Sequence, residues 1–221
     1  MHFEEGKTYH IYNRSNEKLF HSRDNYLYFL NKIKKLILPN AEILAWCLMP
    51  NHFHILLVAN QNSCNNIDES HRVSTQMLSK NIGTLLSSYS RAINKAIGRK
   101  GNLFAHKTKA KCLNDAPDND YLLDNCFHYI HQNPVLAGLC NSLDDWEFSS
   151  YLDYTGIRDG KLIHKELAME MINIDEKDFH IQSSILLDEK LLQDLLINKQ
   201  WVEISCKYPK HLQYAQHFVK R

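Results

Sequence analysis

The sequence contains no apolar run that approaches the roughly 20 residues needed to cross a bilayer, so no membrane-spanning helix is predicted. It also lacks internal repeats and low-complexity tracts. Its six cysteines include no C-x-x-C pair, which excludes the usual spacing of zinc and redox sites and favours reduced thiols. The first residues are acidic and polar, unlike a secretory signal, and we therefore expect a cytoplasmic location.

Acidic residues are absent from positions 70–114, although the net charge of the whole chain is only +1. The same stretch carries nine basic residues: Arg72, Lys80, Arg91, Lys95, Arg99, Lys100, Lys107, Lys109 and Lys111. Between positions 115 and 160 the balance inverts, with nine acidic residues against Arg158 alone. A basic segment of this kind can present a phosphate-binding face, or it can be a solvated surface with its counter-charges nearby.

The periodicity of apolar residues predicts an α+β domain. Hydrophobic residues make up 44% of the chain, which suits a packed core. Apolar alternation predicts strands, and spacing of three and four residues predicts helices. The predicted elements are a strand at 7–14, a helix at 23–37, strands at 43–49 and 53–58, a helix at 73–97, a strand at 103–113 and a helix at 118–133 closed by Pro134. This β-α-β-β-α-β-α order predicts a ferredoxin-like split βαβ antiparallel sheet with packed helices.

The rest of the chain consists of one connecting segment and the C-terminal part. Residues 60–70 are predicted to form a polar loop, and residues beyond 160 a helical extension. An amphipathic helix is predicted from Leu186 to Ile197.

The segment at 49–54, MPNHFH, carries two histidines at alternate positions of an apolar strand. Side chains alternate between the faces of a strand, so His52 and His54 point the same way while Phe53 points into the core. Two imidazoles at this spacing can share one divalent ion. The chain holds 13 histidines, however, and the pair also suits a polar strand face without a metal. A third ligand must come from elsewhere, and the helix at 118–133 is the candidate.

The helix predicted at 118–133 carries a possible nucleophile. At about 100° per residue, Tyr129 lies at the edge of its apolar stripe, and Asn133 follows one turn later on the same flank. His128 and Gln132 are predicted to face solvent. The Tyr129 phenol could attack a phosphate and form a covalent phosphotyrosine. With 11 tyrosines in the chain, the helical wheel alone favours an ordinary half-buried core tyrosine.

Four segments together resemble a known family. MPNHFH resembles the His-hydrophobe-His motif of the HUH endonucleases, and YIHQNPVLAGL at 129–139 resembles the tyrosine segment of the REP-associated tyrosine transposases. YHIYNR at 9–14 is similar to the opening strand of that family, and WEFSSY at 146–151 to its closing box. The resemblance spans about residues 7–155. It departs at Ser15, where the family often has glycine.

The resemblance implies a catalytic domain over residues 1–155, followed by a C-terminal extension of unassigned role over 156–221. It implies Mg²⁺ or Mn²⁺ bound by His52, His54 and the amide of Asn133, with Tyr129 as the nucleophile. It further implies cleavage and rejoining of single-stranded DNA beside a hairpin through a 5′-phosphotyrosine. Some relatives form homodimers, and the sequence leaves that question open.

The basic residues then become candidates for DNA contacts. Lysines at 107, 109 and 111 alternate along a predicted strand, while four basic residues follow a helix and its exit. Asn13 and Arg14 follow the first strand and could contact bases or a hairpin stem. The full set of predicted DNA-binding residues is Asn13, Arg14, Arg91, Lys95, Arg99, Lys100, Lys107, Lys109 and Lys111.

Three other functions are compatible with parts of this pattern. A relaxase or replication-initiator nickase would use the same metal and tyrosine. A catalytically silent DNA-hairpin-binding protein would keep the fold without the chemistry. A zinc hydrolase would need an acidic base beside the histidines, and MPNHFH has none.

Overall fold

A four-stranded antiparallel sheet organises the chain in the computed structural model, which describes residues 1–67, 75–105, 107–115, 119–172, 174, 177–185 and 187. Its elements, with two small 3₁₀ turns omitted, are β1 (Thr8–Arg14), α1 (Arg23–Leu36), β2 (Ala41–Met49), β3 (His52–Ala59), α2 (Gln61–Cys64), β4 (Asn66–Ile67), β5 (Thr75–Gln76), α3 (Met77–Ala96), β6 (Lys109–Cys112), α4 (Asn119–Leu136), α5 (Tyr151–Tyr154), α6 (Lys165–Met171) and α7 (Phe179–Ser184). Among the described residues, no helix is long and apolar enough to cross a membrane.

The main sheet has the strand order β2-β3-β1-β6, and every neighbouring pair is antiparallel. This is the order of a split βαβ sheet, and the predicted ferredoxin-like α+β fold is confirmed. Strand β3 lies in the middle, paired with β2 on one side and β1 on the other. Any side chain on β3 therefore has neighbours from both adjacent strands.

The sheet separates two hydrophobic cores. Phe53 and Ile55 of β3 pack with α1 and α3 on one face, where Phe29 and Tyr89 are fully buried. The other face packs against α4, α5 and α6. Because strand side chains alternate, Phe53 and Ile55 point away from the histidines and anchor the strand in the first core. The histidines are left on the face that α4 covers.

Helix α4 continues beyond its predicted end at Asn133 to Leu136, with Pro134 inside its last turn. A proline lacks an N–H and disfavours helical geometry at the preceding residue. The turn survives because three N–H groups cap its carbonyls: Ala137 donates to Asn133, Gly138 to Val135 and Leu139 to Pro134, each at 2.9 Å. Gly138 adopts φ 65°, the left-handed conformation that ends helices in this way.

Gly138→Ala is expected to lower the free energy of unfolding by about 1 kcal/mol, because an L side chain is strained at positive φ. No atom within 4 Å would clash with the added Cβ, so the cost is backbone strain alone. Gly83 is the matched control: it lies inside α3 with an equally open Cβ position and no positive φ. Gly83→Ala should stabilise the protein by about 1 kcal/mol. Urea denaturation of both variants measures the change in the free energy of unfolding, which should be negative for Gly138→Ala and positive for Gly83→Ala. A destabilised Gly83→Ala would contradict this account.

Three further predicted boundaries were wrong. The strand predicted at 103–113 is confined to β6, because Leu103 turns into the first core just after Gly101 at φ 87°. The loop predicted at 60–70 contains α2 and β4, and the helix predicted from 73 begins at Met77, after β5. The helix predicted from Leu186 to Ile197 lies outside the described residues apart from Leu187.

In the described part of the C-terminal extension, α7 packs on α4 and α6 packs on β2. Ala168 and Phe179 belong to the second core. The prediction that His128 and Gln132 face solvent was wrong, because both are buried against α7. Gln132 Nε2 donates to the carbonyls of Ser183 and Ile185 at 3.0 and 2.7 Å. A helical wheel identifies the apolar stripe of a helix. It does not identify polar residues that become buried because a second helix supplies their hydrogen-bond partners.

Candidate active site

Two elements build the candidate site. Strand β3 carries His52 and His54, which are 4% and 0% exposed, on the face toward α4. Helix α4 carries Tyr129 and Asn133 one turn apart, which are 6% and 3% exposed. The structure thus brings the four residues proposed for catalysis and metal binding together in one buried cluster.

His52 is held at both ring nitrogens. Its Nδ1 lies 2.7 Å from Asn51 Oδ1, and its Nε2 lies 3.2 Å from Asn133 Oδ1. An amide oxygen can only accept, so His52 Nδ1 carries the hydrogen and donates it to Asn51. Burial lowers the pKa of His52 to about 4, although the hydrogen bond that the protonated ring could donate to Asn133 acts in the opposite direction. At neutral pH the ring is therefore neutral, and its Nε2 lone pair faces Asn133.

The donor set fits a divalent cation. With Asn133 oriented as in the structure, the lone pairs of His52 Nε2 and Asn133 Oδ1 face each other, and a cation would relieve their repulsion. Neighbouring ligands of an octahedral ion with bonds of about 2.1 Å stand roughly 3 Å apart, close to the observed 3.2 Å. Among the described residues, no three His, Cys, Asp or Glu side chains are arranged so that they alone could hold a metal ion. The set of imidazoles and one amide oxygen leaves further positions for water, unlike a closed structural zinc site.

His54 lies beside both His52 and Tyr129. Its ring centroid is 5.1 Å from that of His52 and 5.4 Å from that of Tyr129, edge to face in both cases. Its Nδ1 is 2.8 Å from His10 Nε2. Burial, followed by the neighbouring histidines, holds the pKa of His54 well below its usual range. The ring is therefore neutral, as a metal ligand must be.

The Tyr129 phenol is protonated at rest. Burial raises its pKa far above the usual value, and a side-chain hydrogen bond with Asn133 acts in the opposite direction. Asn133 Nδ2 also lies 3.4 Å from the Tyr129 carbonyl oxygen, which orients the amide across one helical turn. Asn133 therefore connects strand β3 with helix α4 at the site, since its side chain contacts both His52 and Tyr129.

Strand β1 adds three residues to the site face, two of which the sequence analysis missed. His10, Tyr12 and Arg14 alternate along β1, and Tyr12 and Arg14 pair across the strands with His54 and His52. The Tyr12 ring is 6.1 Å from that of His54. Arg14 is close enough for its charge to contribute to the lowered pKa of His52. The period-2 alternation of YHIYNR was the available signal, but it becomes informative only once β1 is known to pair with β3.

The predicted DNA-binding lysines of β6 lie on this same face. Lys109 pairs across the strands with Tyr12, and Lys111 with His10. Lys107 is exposed just before the strand. Asn13 points to the other face, is buried, and donates through Nδ2 to Thr108 Oγ1 at 2.9 Å.

The other predicted DNA-binding residues are placed on the far side of the sheet. Arg91 and Lys95 are exposed on α3, which packs against the face away from the histidines. Arg99 follows that helix and makes a two-pronged ion pair with Glu17 at 3.0 and 2.9 Å, and Lys100 is its exposed neighbour. The structure does not bring these four residues to the catalytic cluster.

Comparison with known proteins supports the fold. No protein-family model and no curated protein matches the chain. Among solved structures, the chain is similar to a REP-associated tyrosine transposase bound to a REP hairpin, with a TM-score of 0.51 and 17% sequence identity. The match covers 71% of this chain and 83% of the other. The structural neighbour thus comes from the family that the motifs resemble, and at this identity it establishes the shared fold.

Proposed function

We propose that the protein is a metal-dependent endonuclease and strand transferase that cleaves and rejoins single-stranded DNA at hairpin-associated sites, as a transposase does. The observation that carries the proposal is the 3.2 Å approach of His52 Nε2 and Asn133 Oδ1 beside the buried Tyr129 phenol. The likeness to a transposase bound to a hairpin supports a DNA partner of the same kind.

His52, His54 and Asn133 would hold Mg²⁺ or Mn²⁺, ions that accept carbonyl oxygens and whose remaining positions take water or phosphate. Such an ion supplies Lewis-acid stabilisation of the charge that builds on a phosphate under attack. Arg14 lies on the same face next to His52, where its guanidinium can bind a phosphate oxygen by charge-assisted hydrogen bonds.

Tyr129 supplies the nucleophile. Its phenol oxygen bonds to the scissile phosphorus while the 3′ oxygen leaves, which gives a 5′-phosphotyrosine and a free 3′-OH. Because burial raises the pKa of Tyr129, the phenol must lose its proton as the attack takes place, and the leaving 3′ oxygen must gain one. The phosphotyrosine ester conserves the energy of the broken phosphodiester bond. A 3′-OH can therefore attack it, reverse the step and rejoin the DNA. Burial also restricts water, which favours rejoining over hydrolysis.

Labelled single-stranded DNA hairpins incubated with the protein and Mn²⁺ test the proposal. We expect a covalent protein–DNA adduct that survives denaturing electrophoresis and disappears when EDTA is present. Cleavage that leaves only free DNA ends would contradict the phosphotyrosine and would favour a hydrolase that uses water.

Substitution of the two β6 lysines is expected to weaken DNA binding. The double variant Lys109→Gln/Lys111→Gln should bind hairpin DNA roughly tenfold less tightly and lower the slope of log affinity against log salt by about 1–2, since each lysine contacts a phosphate. Arg91→Gln/Lys95→Gln removes the same charge from the opposite face and should bind normally. Fluorescence anisotropy at several salt concentrations measures both. If the α3 variant loses as much affinity, the DNA does not run over the histidine face.

A further inference from the structure

His10 and His54 form a buried imidazole pair that the site chemistry above leaves unexplained. His10 is 1% exposed, and its Nε2 lies 2.8 Å from His54 Nδ1. The two ring centroids are 5.0 Å apart and the ring planes 24° apart, so the rings meet nearly edge to edge through these nitrogens. A distance of 2.8 Å requires a hydrogen between the two nitrogens, because two bare lone pairs would repel.

Two neutral imidazoles can share that hydrogen in two ways. If His54 Nδ1–H donates to His10 Nε2, the lone pair of His54 lies on Nε2 and can bind a cation. If His10 donates instead, His54 Nε2 carries a hydrogen and cannot be a ligand. The direction of one hydrogen bond therefore decides whether His54 is competent to bind metal.

The surroundings of His10 leave this direction open. The other ring nitrogen of His10, Nδ1, has no hydrogen-bond partner among the described residues, so no neighbour fixes its tautomer. His52 differs, because the Asn51 amide oxygen can only accept and holds Nδ1–H permanently. The two histidines of the site thus have partners of different chemistry. Asn51 fixes the tautomer of His52, whereas His10 can either donate to His54 or accept from it.

We propose that His10 is a positioning residue that accepts the Nδ1–H of His54, so that the Nε2 lone pair of His54 is available to a divalent cation. The inference rests on the proposed function, because it assigns a role toward the same metal site. Ligating histidines generally donate their other N–H to an acceptor, and loss of that acceptor weakens metal affinity. In this chain the acceptor is a neutral imidazole from the adjacent strand.

A pair of variants of similar length separates the hydrogen bond from packing. His10→Gln keeps an acceptor oxygen, whereas His10→Met fills a comparable volume with a weakly accepting thioether. Titration with Mn²⁺ followed by electron paramagnetic resonance measures binding without any turnover. We expect His10→Gln to bind within about threefold of the unaltered protein, and His10→Met to bind about 10–100-fold more weakly. Thermal melts without metal verify that each variant is folded.

Equal Mn²⁺ affinity in His10→Met and the unaltered protein would overturn the proposal, and so would equal losses in both folded variants. Nitrogen-15 NMR of the unaltered, Mg²⁺-loaded protein gives a second test that does not depend on folding of a variant. It should show the hydrogen of His54 on Nδ1, and a hydrogen on Nε2 would overturn the assignment. An unaltered protein that binds no Mn²⁺ would instead contradict the metal site of the proposed function itself.

Discussion

Tyr129→Phe is expected to abolish the covalent protein–DNA adduct, with a fall of at least about a thousandfold, as is typical when an enzyme loses its nucleophile. The substitution removes one hydroxyl and keeps the ring that packs at 5.4 Å against His54. Folding and DNA affinity should therefore change little. Denaturing electrophoresis of labelled DNA measures the adduct, and anisotropy measures binding by the same preparation.

Tyr12→Phe is the matched control, because it also removes one phenol from the same face of the sheet. Tyr12 is buried on β1, pairs across the strands with His54, and lies near Tyr129. This variant should form the adduct. If instead Tyr12→Phe loses the adduct and Tyr129→Phe retains it, Tyr12 is the nucleophile. Tyr89 is unsuitable as a nucleophile, since it lies in the core on the face of the sheet away from the histidines, where it donates to the Leu19 carbonyl.

His52→Ala and His54→Ala are expected to lower the cleavage rate by roughly a hundredfold or more. A bound cation stabilises the transition state by several kcal/mol, and each 1.36 kcal/mol corresponds to a factor of ten. A readout independent of turnover is the melting temperature. Mn²⁺ at about 100 times its Kd should add about 2.7 kcal/mol to the free energy of unfolding of the unaltered protein, and much less to that of either variant.

His164→Ala provides the control for this pair. His164 is half exposed, and its Nδ1 lies 3.2 Å from Glu42 Oε2, outside the catalytic cluster. It should retain both cleavage and stabilisation by Mn²⁺. A full stabilising effect of Mn²⁺ on His52→Ala would mean that the ion binds elsewhere in the chain, and the proposed ligand set would then be wrong.

Sequence patterns predicted those features of the site that depend on a single strand or helix. Strand alternation placed His52 and His54 on one face, and the helical repeat placed Asn133 one turn from Tyr129. The positions of His10 and Tyr12 depend on the register of β1 against β3, which joins Tyr12 to His54, 42 positions later in the chain. Burial of Gln132 depends on contacts with Ser183, 51 residues away. Such long-range pairing is set by the packing of the whole domain, so a single sequence window could not reveal it.

Mass spectrometry of the adduct formed by the unaltered protein tests the central claim most directly. Trypsin separates the two candidate tyrosines, because Tyr12 lies in a fragment ending at Arg14 and Tyr129 in a fragment that runs from Cys112 to Arg158 without an internal lysine or arginine. We predict that the 5′-phosphate of the cleaved DNA is found on the second fragment, and that fragmentation places it on Tyr129. A phosphate on Tyr12, or on any other residue, would contradict the proposed mechanism.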